Sequence, residues 1–259
     1  MKIKNSSRFL LMAIMVVCAG YMISGCSSST TPPTTTTNSN VYPRTGSAYT
    51  YSKQQMDSTG KRSGVALVVN ANVTDSGNVF SGQSNTYTII SDAGDTTHYT
   101  YSGNNDVLTY IQNTGLGGPV QTLGDTIFHR WITLSVASKA SGVLVVPDAV
   151  DTVAVTLSGT SFKIPANVHV VSDYVGSDSV RLATGESLFC QHCKITLTAV
   201  SSYLLIKPDV TFTNQRDVWF AAKIGNFAKD STWTVIPTAL GIQGSKGGSV
   251  QTLTSYNLK

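Results

Sequence analysis

From Val41 onward, apolar and polar positions alternate with a period of two, in short runs divided by clusters of Gly, Asn and Asp. Residues 47–53 place Tyr49 and Tyr51 on one face. Residues 65–73 (VALVVNANV) follow, then the turn Asp75-Ser76-Gly77-Asn78. Residues 86–90 lead into Asp92-Ala93-Gly94-Asp95, residues 98–101 into Gly103-Asn104-Asn105-Asp106, and residues 107–112 complete the series. After a Gly/Pro-rich break over 113–124, strand-type runs resume at 127–136, 151–157, 168–174, 194–205, 217–222, 231–236 and 250–258. Near-regular runs with such turns predict antiparallel hairpins. A sustained 3.6-residue period is absent; only residues 138–149 suit a short helical turn, which Pro147 limits. The expected fold is all-β: one strongly curved antiparallel sheet, an open or half barrel, with a β-sandwich as the alternative. The break at 113–124 is the expected sub-boundary.

The pattern before Val41 is different. Lys2, Lys4 and Arg8 precede an apolar run over 9–17, extended through 19–23. This is the layout of a secretory signal, and it is short for a spanning helix of about 20 residues. Ile23-Ser24-Gly25-Cys26 resembles the lipobox of bacterial lipoproteins. That resemblance implies cleavage before Cys26, a diacylglycerol on its thiol and an acyl chain on the new amino group. Residues 1–25 are then a signal peptide. Residues 26–40 are the lipidated Cys and a Ser/Thr/Pro tether with nothing apolar to bury, extended at Pro32 and Pro33. Residues 41–259 are the β-rich domain. Ser27, rather than Asp, resembles outer-membrane cargo, and no acidic run follows it. The expected location is the outer membrane, with the domain facing the periplasm.

Removal of the signal changes the charge. The formal +4 of the whole chain falls to fifteen basic against fourteen acidic side chains, with no Lys/Arg run, so nucleic acid is not an expected partner. Thirteen of the acidic residues are Asp and one is Glu186, which favours turns over helices.

Candidate chemistry is sparse. With Cys18 in the signal and Cys26 lipidated, Cys190-Gln191-His192-Cys193 is the one local cluster. A redox thiolate needs a helix N-terminus, but Lys-Ile-Thr-Leu follows here and reads as a strand. Haem attachment needs His after the second Cys, where Lys194 stands. Zinc would need two further ligands, and His98, His129 and His169 are scattered. A Cys190–Cys193 disulfide suits an exported protein. On a continuous strand, however, positions i and i+3 lie about 10 Å apart, beyond disulfide reach. Either Gln191-His192 forms a tight turn or the cysteines are unbridged. Asp92 and Asp95 lack the ligand density of a calcium loop. Residues 241–249 lack phosphate-loop spacing. Trp131, Trp219 and Trp233 read as core rather than sugar platforms. No catalytic set, metal or cofactor is expected.

Two C-terminal stretches, residues 180–196 (VRLATGESLFCQHCKIT) and 218–229 (VWFAAKIGNFAK), resemble motifs of uncharacterised envelope lipoproteins with half-barrel domains. Residues 253–259 (LTSYNLK) resemble their closing strand. The resemblance implies a curved sheet around an apolar interior and no activity. The expected role is a non-catalytic, membrane-anchored protein that binds an envelope component or an apolar ligand in its concave face. The alternative is a structural or adhesive lipoprotein without a small ligand.

Overall fold

The computed structural model of the chain describes residues 40–111, 120–123, 129–157, 160–201, 210–238 and 244–259. The signal, Cys26 and residues 27–39 lie outside the described residues. Most of the break at 113–124 does too.

Among the described residues, thirteen strands form one sheet: β1 (Ala48–Met56), β2 (Arg62–Phe80), β3 (Gln83–Ser91), β4 (Thr96–Tyr101), β5 (Val107–Ile111), β6 (Val120–Leu123), β7 (Arg130–Leu134), β8 (Val143–Leu157), β9 (Thr160–Arg181), β10 (Ser187–Ser201), β11 (Val210–Ala221), β12 (Asn226–Ile236) and β13 (Ser245–Asn257). All pairings are antiparallel, in the order β6-β8-β9-β10-β11-β12-β13-β1-β2-β3-β4-β5-β7. The last strand therefore pairs with the first, and β1 joins two meanders into one surface.

The sheet is strongly curved. Tyr99 on β4 and Phe220 on β11 stand six places apart in strand order. In a flat sheet that separation would be about 29 Å. Their ring centroids are 6.3 Å apart. The expected half barrel is thus the observed fold.

The strands differ from the sequence expectation where polar residues sit inside them. The turn expected at 75–78 is absorbed into β2 by register slips between Val73 and Asp75 and between Ser76 and Asn78. The chain instead reverses at Ser81-Gly82, both with positive φ, as a two-residue hairpin turn requires. The helical turn expected within 138–149 is replaced by β8, which passes Pro147 through slips flanking Val146.

The interior is filled. Tyr49, Tyr51, Tyr87, Phe212, Phe220, Ile132, Leu134, Leu188, Ile224 and Leu253 are almost fully buried in one cluster. The link between β11 and β12 enters this space as a plug. Tyr49 donates to the carbonyl of Ile224 at 2.8 Å, and Tyr87 to that of Gly225 at 2.7 Å. Tyr51 donates to Phe227 at 3.2 Å and accepts from Asn226 at 2.9 Å. The hydroxyls of Tyr49 and Tyr87 thereby answer buried turn carbonyls. Gly225 has φ +61°, and a Cβ there would overlap the carbonyl of Val41 and the ring of Pro43. The entering chain is therefore packed directly on the plug.

Candidate functional site

Cys190 and Cys193 are free and fully buried. The expected bridge is not formed, and the strand geometry explains why. β10 runs unbroken from Ser187 to Ser201, paired with β9 on one side and β11 on the other, so Gln191-His192 makes no tight turn. Buried positions on β10 run 188, 190 and then 193, 195, 197. This change of phase, beside a register slip between His192 and Cys193, turns both thiols inward. Burial pushes both thiols up to about 12, so neither is a ready nucleophile.

The intervening His192 lies on the other face. Its Nε2 is 2.8 Å from Oδ1 of Asp217, and its ring stacks on Trp219 at 4.1 Å. Nζ of Lys229 sits 3.9 Å over the same indole. The group joins neighbouring strands β10, β11 and β12, and it packs Trp219 between a ring and an ammonium. His192 and Asp217 do converge as an acid–base pair would. Among the described residues, however, no hydroxyl or thiol hydrogen-bonds to His192, so no nucleophile completes the set. Trp131, Trp219 and Trp233 are each half-buried, and Trp219 packs against the core cluster. Asp92 accepts from the amide and side chain of Asn70 and acts as a turn clasp. No cluster of three metal-ligating side chains occurs among the described residues.

Among the described residues, the interior carries one strong ion pair. Arg216 donates from Nε and Nη2 to both oxygens of Asp230, the shortest contact being 2.7 Å. Burial works against the guanidinium charge, but the adjacent carboxylate outweighs it and holds Arg216 above its ordinary range. Both groups satisfy each other, so neither is offered to a ligand.

A hollow of about 220 Å³ is a different matter. It is lined by Ser52, Gln54, Val250, Thr252, Leu253 and Thr254 of β1 and β13, by Arg62 of β2, and by Arg181 and Ala183 where β9 turns toward β10. No carboxylate lines it. Arg62 and Arg181 are exposed and make no ion pair among the described residues. Two guanidinium groups with hydroxyl and amide neighbours suit a phosphate or carboxylate, which Arg grips in a planar, bidentate way. Sequence reading missed this site because Arg62 and Arg181 are 119 positions apart and only the curvature brings them together.

No family model matches the chain, and no curated protein matches it. Solved structures with a similar course are a candidate lipoprotein of Parabacteroides distasonis, a candidate exported protein with YmcC-like fold from Bacteroides fragilis, and the hypothetical lipoprotein YmcC of Escherichia coli. The first is 13% identical, covers 84% of this chain and 99% of its own, and has a TM-score of 0.44. The second is 12% identical, with the same coverages and a TM-score of 0.40. The third is 9% identical, with coverages of 81% and 84% and a TM-score of 0.33. At such identities and scores, the functional reading rests on this chain's own residues.

Proposed function

We propose that this chain is a lipid-anchored, non-catalytic protein of the bacterial envelope, and that its β domain holds an anionic group of an envelope component between Arg62 and Arg181. The observation that carries the reading is a contrast within one molecule. The concave face is packed with tyrosines and plugged by the β11–β12 link, whereas the hollow presents two guanidinium groups beside hydroxyls and an amide. The lipid anchor rests on Cys26 and the small residues before it. Outer-membrane retention and a periplasm-facing domain rest on Ser27. A structural or adhesive role without a small ligand is favoured instead by exposed apolar positions on β2.

The test is thermal unfolding of the full lipidated chain in detergent, titrated with inorganic phosphate, with glucuronate, and with neutral glucose. A ligand that binds only the folded state raises the melting temperature in a saturable way. Expected is a rise with one or both anions, none with glucose, and loss of the rise in an Arg62→Gln, Arg181→Gln double variant. A rise that survives both substitutions, or none with either anion, sinks the reading. If phosphate alone acts, the target is a phosphorylated headgroup or polymer; if glucuronate alone acts, it is an acidic glycan.

A further inference from the structure

One stretch of β2 breaks the rule that an exported sheet protects its edges. From Arg62 to Val69 the strand has β1 on one side only, because β3 joins at Ala71; the β1 ladder holds Leu67–Val69 and Arg62–Ser63, with residues 64–66 bulged between them. The amide of Asn70 donates to Asp92, and the carbonyl of Asn70 accepts from the amide of Asp92. The carbonyl and amide of Val73 point the other way, toward Gly46 and Ser47 beside β1. By strand alternation, Val68 therefore turns its N–H and C=O groups to the open edge, and Ala66, at the rim of the bulge, its C=O. No backbone group of the described residues meets them there.

The side chains of the same stretch are apolar and exposed. Val65 is 87% exposed, Leu67 60% and Val68 68%. Natural edges are blunted by charge, Pro or short length, yet 65–69 reads Val-Ala-Leu-Val-Val. A lone exposed apolar residue needs no account, but three on an unpaired, strongly β-forming edge do.

We infer that this edge pairs with the same edge of a second copy, antiparallel about a twofold axis near Ala66 and Leu67. Two features favour a second copy over an unrelated strand. First, the run is self-complementary: a twofold register centred on Leu67 sets Leu67 against itself, Ala66 against Val68 and Val65 against Val69, with no charge inside the pair. Second, its ends carry opposite charge. Lys61 stands at one end, and the turn holding Asp92 and Asp95 stands at the other, beside Asn70. A twofold rotation brings each basic end toward the partner's acidic turn. The two sheets then continue into one another, as in β-strand addition. Confinement of both copies to one membrane plane raises their effective concentration, so the pairing need not be tight in solution.

The test uses the full chain in membrane vesicles under mild oxidation, read by non-reducing gel electrophoresis and intact mass. Leu67→Cys lies near the axis and is expected to give a disulfide dimer of twice the chain mass. Val79→Cys, at a position 75% exposed on the far end of β2, is expected to stay monomeric. Adding Val68→Pro to Leu67→Cys removes an edge donor and leaves the β1 ladder intact. It should abolish the dimer while the melting temperature stays within a few degrees of the parent. A monomeric Leu67→Cys chain overturns the pairing. So does equal dimer from both Cys variants, or a Leu67→Cys adduct of another mass, which would mark a different partner. None of these variants touches Arg62 or Arg181, so failure here leaves the anion site standing, and the reverse.

Discussion

The hydroxyl of Tyr87 on β3 donates to the carbonyl of Gly225 in the β11–β12 link at 2.7 Å, across 138 residues of sequence. Tyr49 and Tyr51 repeat the arrangement at Ile224 and Phe227. The curved sheet is thus held shut by tyrosines that serve as apolar wall and as hydrogen-bond donors at once. Tyr87→Phe keeps the wall and orphans a buried carbonyl, which should cost roughly 1–2 kcal/mol. Urea unfolding checks this: the midpoint should fall with an unchanged slope. A midpoint equal to the parent's would show that the plug does not depend on this bond.

Both thiols of the Cys190–Cys193 pair are buried and pushed up to about 12. Neither should react with iodoacetamide at pH 8 in the folded chain, and both should react once it is unfolded without reductant. Intact mass then shows two added groups. A mass with no added group, 2 Da below the reduced chain, would restore the disulfide.

How far the sequence could be read depends on what each feature needed. The two-residue period revealed strands locally, and turns such as Asp92–Asp95 sit where Asp and Gly cluster. Strand length was hidden wherever a bulge let polar residues stay in the ladder, as at 75–78 in β2 and around Pro147 in β8. The cysteines were legible as an either/or, because reach along a strand is a matter of arithmetic, but the shift of phase that buries both depends on pairing with β9. The arginine hollow and the tyrosine plug were not legible, since both join residues that only the curl of the sheet brings near.

Glu186 accepts from Lys223 at 2.6 Å and from Tyr256 at 3.0 Å. The hydrogen bond from Lys223, then that from Tyr256, hold its carboxyl below the usual range. A depressed carboxyl stabilises the fold above its unfolded value of about 4.3 and loses that contribution as pH falls through the folded value. Glu186→Gln should therefore be less stable than the parent at neutral pH and equal to it near pH 3. Because the pair is exposed to water, the neutral difference is small. A gap that persists in acid would place the effect elsewhere, in packing.

Asp230→Ala leaves the Arg216 guanidinium without its partner in the interior. Side-chain exposure is 32% for Arg216 and 13% for Asp230. The loss should be roughly 2–3 kcal/mol, below that of a fully buried pair, because Arg216 keeps some contact with water. A double variant, Asp230→Ala with Arg216→Met, should recover part of it in chemical unfolding. No recovery would mean that the carboxylate acts through neighbours other than Arg216.

The most direct measurement is native mass spectrometry of the full chain purified from membranes in mild detergent, beside the Arg62→Gln, Arg181→Gln variant. Expected is a chain beginning at Cys26 with its lipid, carrying an acidic adduct that the variant loses. An adduct of neutral acyl chains retained by both proteins would place the ligand in the concave face and contradict the arginine site.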